Sequence, residues 1–235
     1  MTRLRTESHR NQTPPLESGD RLTRYEFERR YNAATHIKKA ELIEGVVYVA
    51  SALRHEQHGK PHSRVVTWLG VYQALTPGVD SSTEPTVRLD LDNEPQPDAV
   101  LFIQPAAGGQ IRLSKDGYIE GAPELIVEIA ASNVAIDTGS KKQAYRRNGV
   151  KEYVIWQSYE NQLEWFQLME GDYVRLMPDE SGIIRSQVFP GLWLAVNDLL
   201  ASNMVRVLEV LQAGVRSPEH QAFVQQLTAN INFSG

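Results

Sequence analysis

The chain contains no cysteine, which excludes disulfide staples and thiolate metal sites and suits a cytoplasmic protein. It also lacks any run of 18 apolar residues, and residues 1–20 are polar and proline-containing, with no apolar stretch of the kind a secretion signal needs. Neither a membrane span nor a signal peptide is expected. Positive charge is scarce as well: 24 Lys and Arg stand against 29 Asp and Glu, a formal net charge of -5. That balance excludes a protein coating nucleic acid through a broad basic surface, so any such contact must be local. Internal repeats, a phosphate-binding loop, a dinucleotide fingerprint, a G-x-S-x-G elbow and an H-E-x-x-H zinc motif are all missing. What remains is 235 residues, 41% of them hydrophobic, enough for one substantial core. One domain is expected over residues 21–214, with a disordered or arm-like stretch before it and a C-terminal extension, 215–235, after it.

Two apolar runs stand out, Asp98-Ala99-Val100-Leu101-Phe102-Ile103 after Pro97 and Glu124-Leu125-Ile126-Val127-Glu128-Ile129-Ala130 after Pro123. Both read as core strands, short and rich in β-branched residues. Each carries one carboxylate, Asp98 or Glu128, where burial of an unpaired charge is costly. The acids could sit at strand ends in solvent or pair with arginine; alternatively they share a divalent cation. Two carboxylates, a carbonyl such as that of Ile129 and several waters are the hard oxygen donors Mg²⁺ prefers, with Mn²⁺ as its substitute. Downstream, Lys141 and Tyr145 project from one helix face with Ala144 and Asn148, while Lys142 points elsewhere. Lys141 could be an ordinary surface residue. Paired carboxylates followed by lysine are nonetheless the arrangement of metal-dependent phosphodiesterases, in which metal activates water and an ammonium meets the phosphate.

From residue 22 to 198 the sequence resembles the Uma2 (DUF820) family of the PD-(D/E)XK nuclease superfamily. The resemblance rests on an ordered set: Glu41-Leu42-Ile43-Glu44-Gly45, His62 before Val65-Val66 and Leu69, Val87-Arg88-Leu89, Gln96-Pro97-Asp98, Gly121 to Glu128, Asp137 with Lys141 and Tyr145, Gly149 to Tyr153, and Pro190-Gly191-Leu192. It implies an α/β fold with a restriction-endonuclease-like core: a central mixed β-sheet flanked by helices, with an antiparallel extension. It further implies a Mg²⁺-dependent endonuclease acting on DNA. Asp98, Glu128 and the Ile129 carbonyl would hold metal, Lys141 would bind phosphate or position water, Glu41 would support the metal's water shell, and Tyr145 would orient its neighbours. The superfamily pattern places lysine two residues after Glu128, where this chain has Ala130; in the family a lysine on the following helix takes over, and Lys141 matches it. Gln157 stands where the family usually has an acid. Two other readings stand beside this one: a nuclease fold that binds or assembles without catalysis, favoured by the acidic charge and Ala130, and an RNase using the same acids.

Elsewhere the expectations are plainer. Thr23 and Glu26 form a capping box on a helix reaching Ala33. Glu41 and Glu44 edge a turn before a strand. His55, His58 and His62 are polar capping or surface residues and not a zinc site, because Gly59 and Pro61 interrupt their spacing; the family resemblance leaves a phosphate contact open for His62. A helix from Ser63 to Ala74 buries Val65, Val66, Leu69 and Tyr72, with Trp68 near its edge. Residues 84–90 form a hairpin with the Asp98 strand, and Asp90, Asp92 and Glu94 are turn acids and not a calcium loop. Residues 104–121 form a mobile loop, a candidate substrate flap. Lys141, Lys142, Arg146, Arg147 and Lys151 read as a solvated helix face, part of which is the best local candidate for phosphate contact. Strands near 152–157, 163–170 and 172–177 extend the sheet as a meander, with Tyr153, Trp156, Trp165 and Phe166 as packing residues. A helix from Val196 to Ala213 packs on the body or on a second subunit of a homodimer.

Overall fold

The computed structural model describes residues 13–50, 52–131 and 134–234. Residues 1–12 of the expected arm, and Ser132 and Asn133 of the loop after the Glu128 strand, lie outside them. Residues 13–20 are held rather than loose: Leu16 is buried, the Gly19 N–H donates to the Val47 carbonyl, and the Val49 N–H donates to the Ser18 hydroxyl. Helix α1, Arg24–Ala33, follows Thr23, but the capping box does not form. Glu26 is instead taken by Arg29 and Arg30, each at 2.7 Å.

Strands β1, Ala40–Ile43, and β2, Val46–Val49, make a hairpin whose two turn residues, Glu44 and Gly45, have φ of 53° and 70°. Positive φ at both positions matches the strand twist. Glu41 therefore lies inside a strand and not at a turn edge. Helix α2, Lys60–Ala74, grows out of a widened turn, His55–Gly59, closed by the Gly59 N–H on the Arg54 carbonyl at 3.2 Å. Pro61 does not interrupt it, since a first-turn residue has no intrahelical acceptor to lose. Trp68 is buried rather than peripheral, its ring 5.7 Å from that of Trp165.

After α2 comes β3, Val79–Thr83, which pairs antiparallel with β5, Ala99–Ile103. The expected partner, 84–90, is displaced because Glu84 adopts φ 49° and ends the extended run. That segment supplies only β4, Val87–Arg88, which joins β6, Arg112–Leu113, and β7, Ile119–Glu120, in a separate small sheet. Strand β8, Leu125–Ala130, is followed by a second widened turn, Ile136–Lys141, then helix α3, Lys142–Arg147, and β9, Glu152–Gln157. This crossover makes β8 and β9 parallel. Strands β10, Gln162–Met169, and β11, Asp172–Arg175, continue as the antiparallel meander. The central mixed sheet has the order β11-β10-β9-β8-β5-β3.

Alternation along β8 separates two cores. Leu125, Val127 and Ile129 face α2 and the C-terminal elements, while Ile126 and Ala130 face Val100, Phe102 and Tyr145. The C-terminal elements are β12, Ile183–Arg185, β13, Trp193–Ala195, α4, Val196–Leu200, α5, Met204–Val215, and α6, Pro218–Ser234. The single helix expected over 196–213 is broken by Ser202 at φ 70°, and Asn203 caps α5 by accepting the Arg206 N–H. Helix α6 packs on the same core: Leu227 is buried, His220 lies 3.0 Å from the Thr76 hydroxyl, and Asn230 donates to the Ala107 carbonyl. Among the described residues, no helix is long and apolar enough to cross a membrane.

Candidate active site

Register brings the two strand acids together. Ala99 of β5 lies opposite Val127 of β8; Asp98 and Glu128 are the next residue along each segment, and both line one cavity. Asp98 is 4% exposed and Glu128 3%. Both oxygens of Asp98 are held: His58 Nε2 lies 2.9 Å from Oδ1, and the Ile129 N–H donates to Oδ2 at 2.7 Å. His62 Nε2 sits 2.8 Å from the Asp98 carbonyl, and Lys39 Nζ is 3.8 Å from Oδ1. Burial opposes ionisation of Asp98, but the hydrogen bond and charge of His58, with Lys39 and the Ile129 N–H, hold its carboxyl below the usual range. An ionised carboxylate only accepts, so His58 Nε2 carries the proton between them.

Glu128 meets two donors at one oxygen: Lys141 Nζ at 3.0 Å and the Tyr145 hydroxyl at 2.7 Å, both on Oε1. The widened turn delivers Lys141 and α3 delivers Tyr145, so the one-face expectation holds although the lysine ends a π-type turn. Lys141 Nζ also lies 2.9 Å from Glu41 Oε1 and 3.5 Å from Asp137 Oδ1. Glu41 in turn accepts the Gln96 N–H at 2.7 Å, tying β1 to the approach of β5. Burial works against the charge on Lys141, yet Glu128, Glu41 and Asp137 together raise its pKa well above the ordinary value. The group is a permanent ammonium. Burial, with Asp137, Asp98 and Glu41 beyond it, outweighs Lys141 and pushes Glu128 up to about 8. Asp137 is pushed up to about 6 by burial first and by Glu41 and Asp98 after it. Ala130 is buried in the same apolar cluster as Tyr145, so the ammonium reaches Glu128 from the helix side instead.

These groups border a cavity of about 650 Å³ lined by Glu41, Asp98, Glu128, Ile129, Asp137 and Lys141, with Arg54 and Tyr159 also on its wall. Among the described residues, no three or more His, Cys, Asp or Glu side chains form a metal cage by themselves. Mg²⁺ does not need one: it characteristically takes one or two carboxylates and keeps several waters. Asp98 and Glu128, with the Ile129 carbonyl beside them, are an all-oxygen set of that kind. Glu41 and Asp137 add further carboxyl oxygens on the same wall, and this oxygen-rich donor set fits such an ion.

All five side chains singled out in the sequence, Glu41, Asp98, Glu128, Lys141 and Tyr145, fall in this one cluster. Lys39 and His58 were not anticipated here, and Asp137, part of the motif with Lys141 and Tyr145, carried no expected role of its own. Asp137 shows as the residue four before Lys141, Lys39 as the residue two before Glu41 on one face of a strand, and His58 as the residue four before His62. His58 is buried against Asp98 rather than lying at the surface, because the widened turn carries the helix through Gly59. Of the five cations in the run, Lys141 is buried among acids, Lys142 stacks on Phe166, Arg146 pairs with Asp172, Arg147 with Glu44, and Lys151 lies 3.7 Å from Glu124, so most of the run is a solvated face laced with ion pairs. Residues 104–121 do not cover the cavity; Gln110 turns to Glu124 at the far end of β8. Gln157, in place of the family's acid, donates to Glu164.

Among curated proteins none matches this chain. A crystal structure described as "a putative nuclease belonging to DUF820", from Anabaena variabilis ATCC 29413, superposes with a TM-score of 0.55 at 14% identity, over 74% of this chain and 96% of that one. At that identity the likeness shows the fold, with its mixed sheet and flanking helices. The Uma2 family model, described as "Putative restriction endonuclease", matches residues 24–197. That span takes in most of the chain, from α1 into α4, and every side chain of the cluster around Glu128, so the chain belongs to the Uma2 family.

Proposed function

We propose that the protein is a divalent-metal-dependent endonuclease that hydrolyses DNA phosphodiester bonds. The observation that carries this reading is that Asp98, just before β5, and Glu128 of β8 line one cavity beside the buried ammonium of Lys141. Mg²⁺ or Mn²⁺ held by Asp98, Glu128 and the Ile129 carbonyl would acidify the attacking water and offset charge on the scissile phosphate. The chain's own groups do the rest. His58 and the Ile129 N–H fix both oxygens of Asp98, and Tyr145 fixes Oε1 of Glu128. Lys141, held as an ammonium, has no lone pair with which to take a proton from water, so its part is electrostatic: a preorganised positive charge for the phosphate. Glu41 and Asp137 keep that charge in place.

The test is incubation of circular DNA, in single-stranded and in supercoiled duplex form, with Mg²⁺ or Mn²⁺. Wild-type protein opens at least one form, and Asp98→Asn and Lys141→Met each lose on the order of 100-fold in rate. Intact circles, or undiminished cutting by Asp98→Asn, would sink the reading. One observation favours a non-catalytic binding module instead: Lys141 already neutralises three acids, as a metal otherwise would. Calorimetry separates the two. Heat of Mn²⁺ binding that disappears in Glu128→Gln favours the enzyme, and no uptake at millimolar metal favours the module.

A further inference from the structure

Asp98, Glu128 and Lys141 are each 4% exposed or less. A scissile phosphate reaches them only if its strand descends into the cavity, and a paired strand would have to bring its complement along. The wall above carries two residues from distant parts of the chain, Arg54 after β2 and Tyr159 in the β9–β10 turn, joined by a hydrogen bond from Arg54 to the Tyr159 hydroxyl at 3.1 Å. Both are exposed, Tyr159 over 54% of its surface. The cavity shares Lys39 and Leu53 with an adjoining groove of about 890 Å³. Exposed Lys38 and His36 line that groove beside apolar Leu16 and Ile37, with Glu17 and Glu84 also on its wall and Glu84 paired with Lys39. Cations for a backbone next to apolar and aromatic surface for bases is how unpaired nucleic acid is held. The chain's net charge of -5, and the ion pairs that Arg146 and Arg147 of α3 make with Asp172 and Glu44, weaken the long-range attraction of a duplex.

Resting on the nuclease reading above, we infer that the strand entering this site is unpaired DNA, gripped at the rim by Arg54 on a phosphate and Tyr159 on a base. Stacking on one aromatic ring is worth about tenfold in affinity. The experiment uses one end-labelled DNA strand in three forms: alone, in a full duplex, and in a duplex with an unpaired central tract. Cleavage is followed with Mn²⁺ and binding by anisotropy in EDTA. The forms with unpaired bases are cut and bound about tenfold better than the duplex, and Tyr159→Ala raises KM for the single strand by about tenfold. Tyr159→Phe, which keeps the ring, recovers most of that loss. Equal handling of duplex and single strand overturns the inference, as does a single-strand KM that Tyr159→Ala leaves unmoved. Absence of cleavage in every form defeats the nuclease reading itself, and the binding arm then decides alone. A single-strand preference that Tyr159→Ala removes upholds the assignment; no preference, or no binding, ends it.

Discussion

Tyr145 has a fully buried ring and one recorded side-chain partner for its hydroxyl, Glu128 Oε1. Replacing it with phenylalanine keeps the ring against Tyr153, 5.0 Å between centroids, and removes only the donor. A hydrogen bond to a buried acid is worth about 1.5–3 kcal/mol, so Tyr145→Phe lowers unfolding stability by that amount in urea titrations. A loss under about 0.5 kcal/mol, the range of a neutral surface change, would mean the hydroxyl does not hold Glu128. His58 answers a different question, since it holds Asp98 and touches no other acid of the cluster. Outer partners that orient a metal ligand are typically worth about 10–100-fold in metal affinity. His58→Ala is therefore expected to weaken Mn²⁺ binding by about that factor in calorimetry, and to lower Tm as well, because buried Asp98 loses its side-chain partner. Unchanged Mn²⁺ affinity would reduce His58 to packing.

At the scale of elements, the join between α5 and β13 depends on a missing side chain. A Cβ at Gly214 would stand 2.2 Å from the Gly191 carbonyl oxygen and 2.9 Å from the Trp193 ring. Alanine normally gains a helix about 1 kcal/mol over glycine, but here backbone would have to move, and overpacking of this kind costs about 1–3 kcal/mol. Gly214→Ala is expected to lower Tm, read by calorimetric scanning; a raised Tm would mean that α5 and α6 rest loosely on the body. The sequence pattern made strands easier to read than their partners. A continuous apolar run located β8, which is buried on both faces, and alternating aromatics helped to locate β9 and β10. The pairing of β5 was missed because it turns on one residue, Glu84, entering positive φ, which no side-chain pattern announces. The break between α4 and α5 at Ser202 escaped for the same reason. The widened turns at 55–59 and 136–141 were invisible because one extra residue in a helical turn leaves composition unchanged while rotating everything before it.

For the molecule as a whole, that rotation explains which parts of the site could be read. Asp98, Glu128 and Lys141 announce themselves because acids in apolar strands and a lysine before a tyrosine are anomalous locally; Lys39 and His58 become meaningful only when β1 and α2 fold onto the end of β5. The same convergence sets the response to pH. Burial, with Glu28 nearby, pushes Glu94 up to about 8; burial pushes Glu152 up to about 7 against its hydrogen-bond donors; and Glu128 and Asp137 rise to about 8 and about 6. Each folded value lies above the unfolded one, so the folded protein holds protons the unfolded chain releases. The stability these groups contribute is complete below their unfolded values and lost as pH rises through about 6 to 8. In EDTA, Tm is therefore expected to fall between about pH 6 and about pH 9. On the metal-dependent reading proposed above, Mn²⁺ would bind the ionised form of Glu128 and compete with its proton, so the rise in Tm on adding Mn²⁺ should be larger at the alkaline end than at the acid end. A Tm that climbs with pH in EDTA would show that the buried acids ionise freely in the fold. A Mn²⁺ effect independent of pH would show that the cation does not meet Glu128.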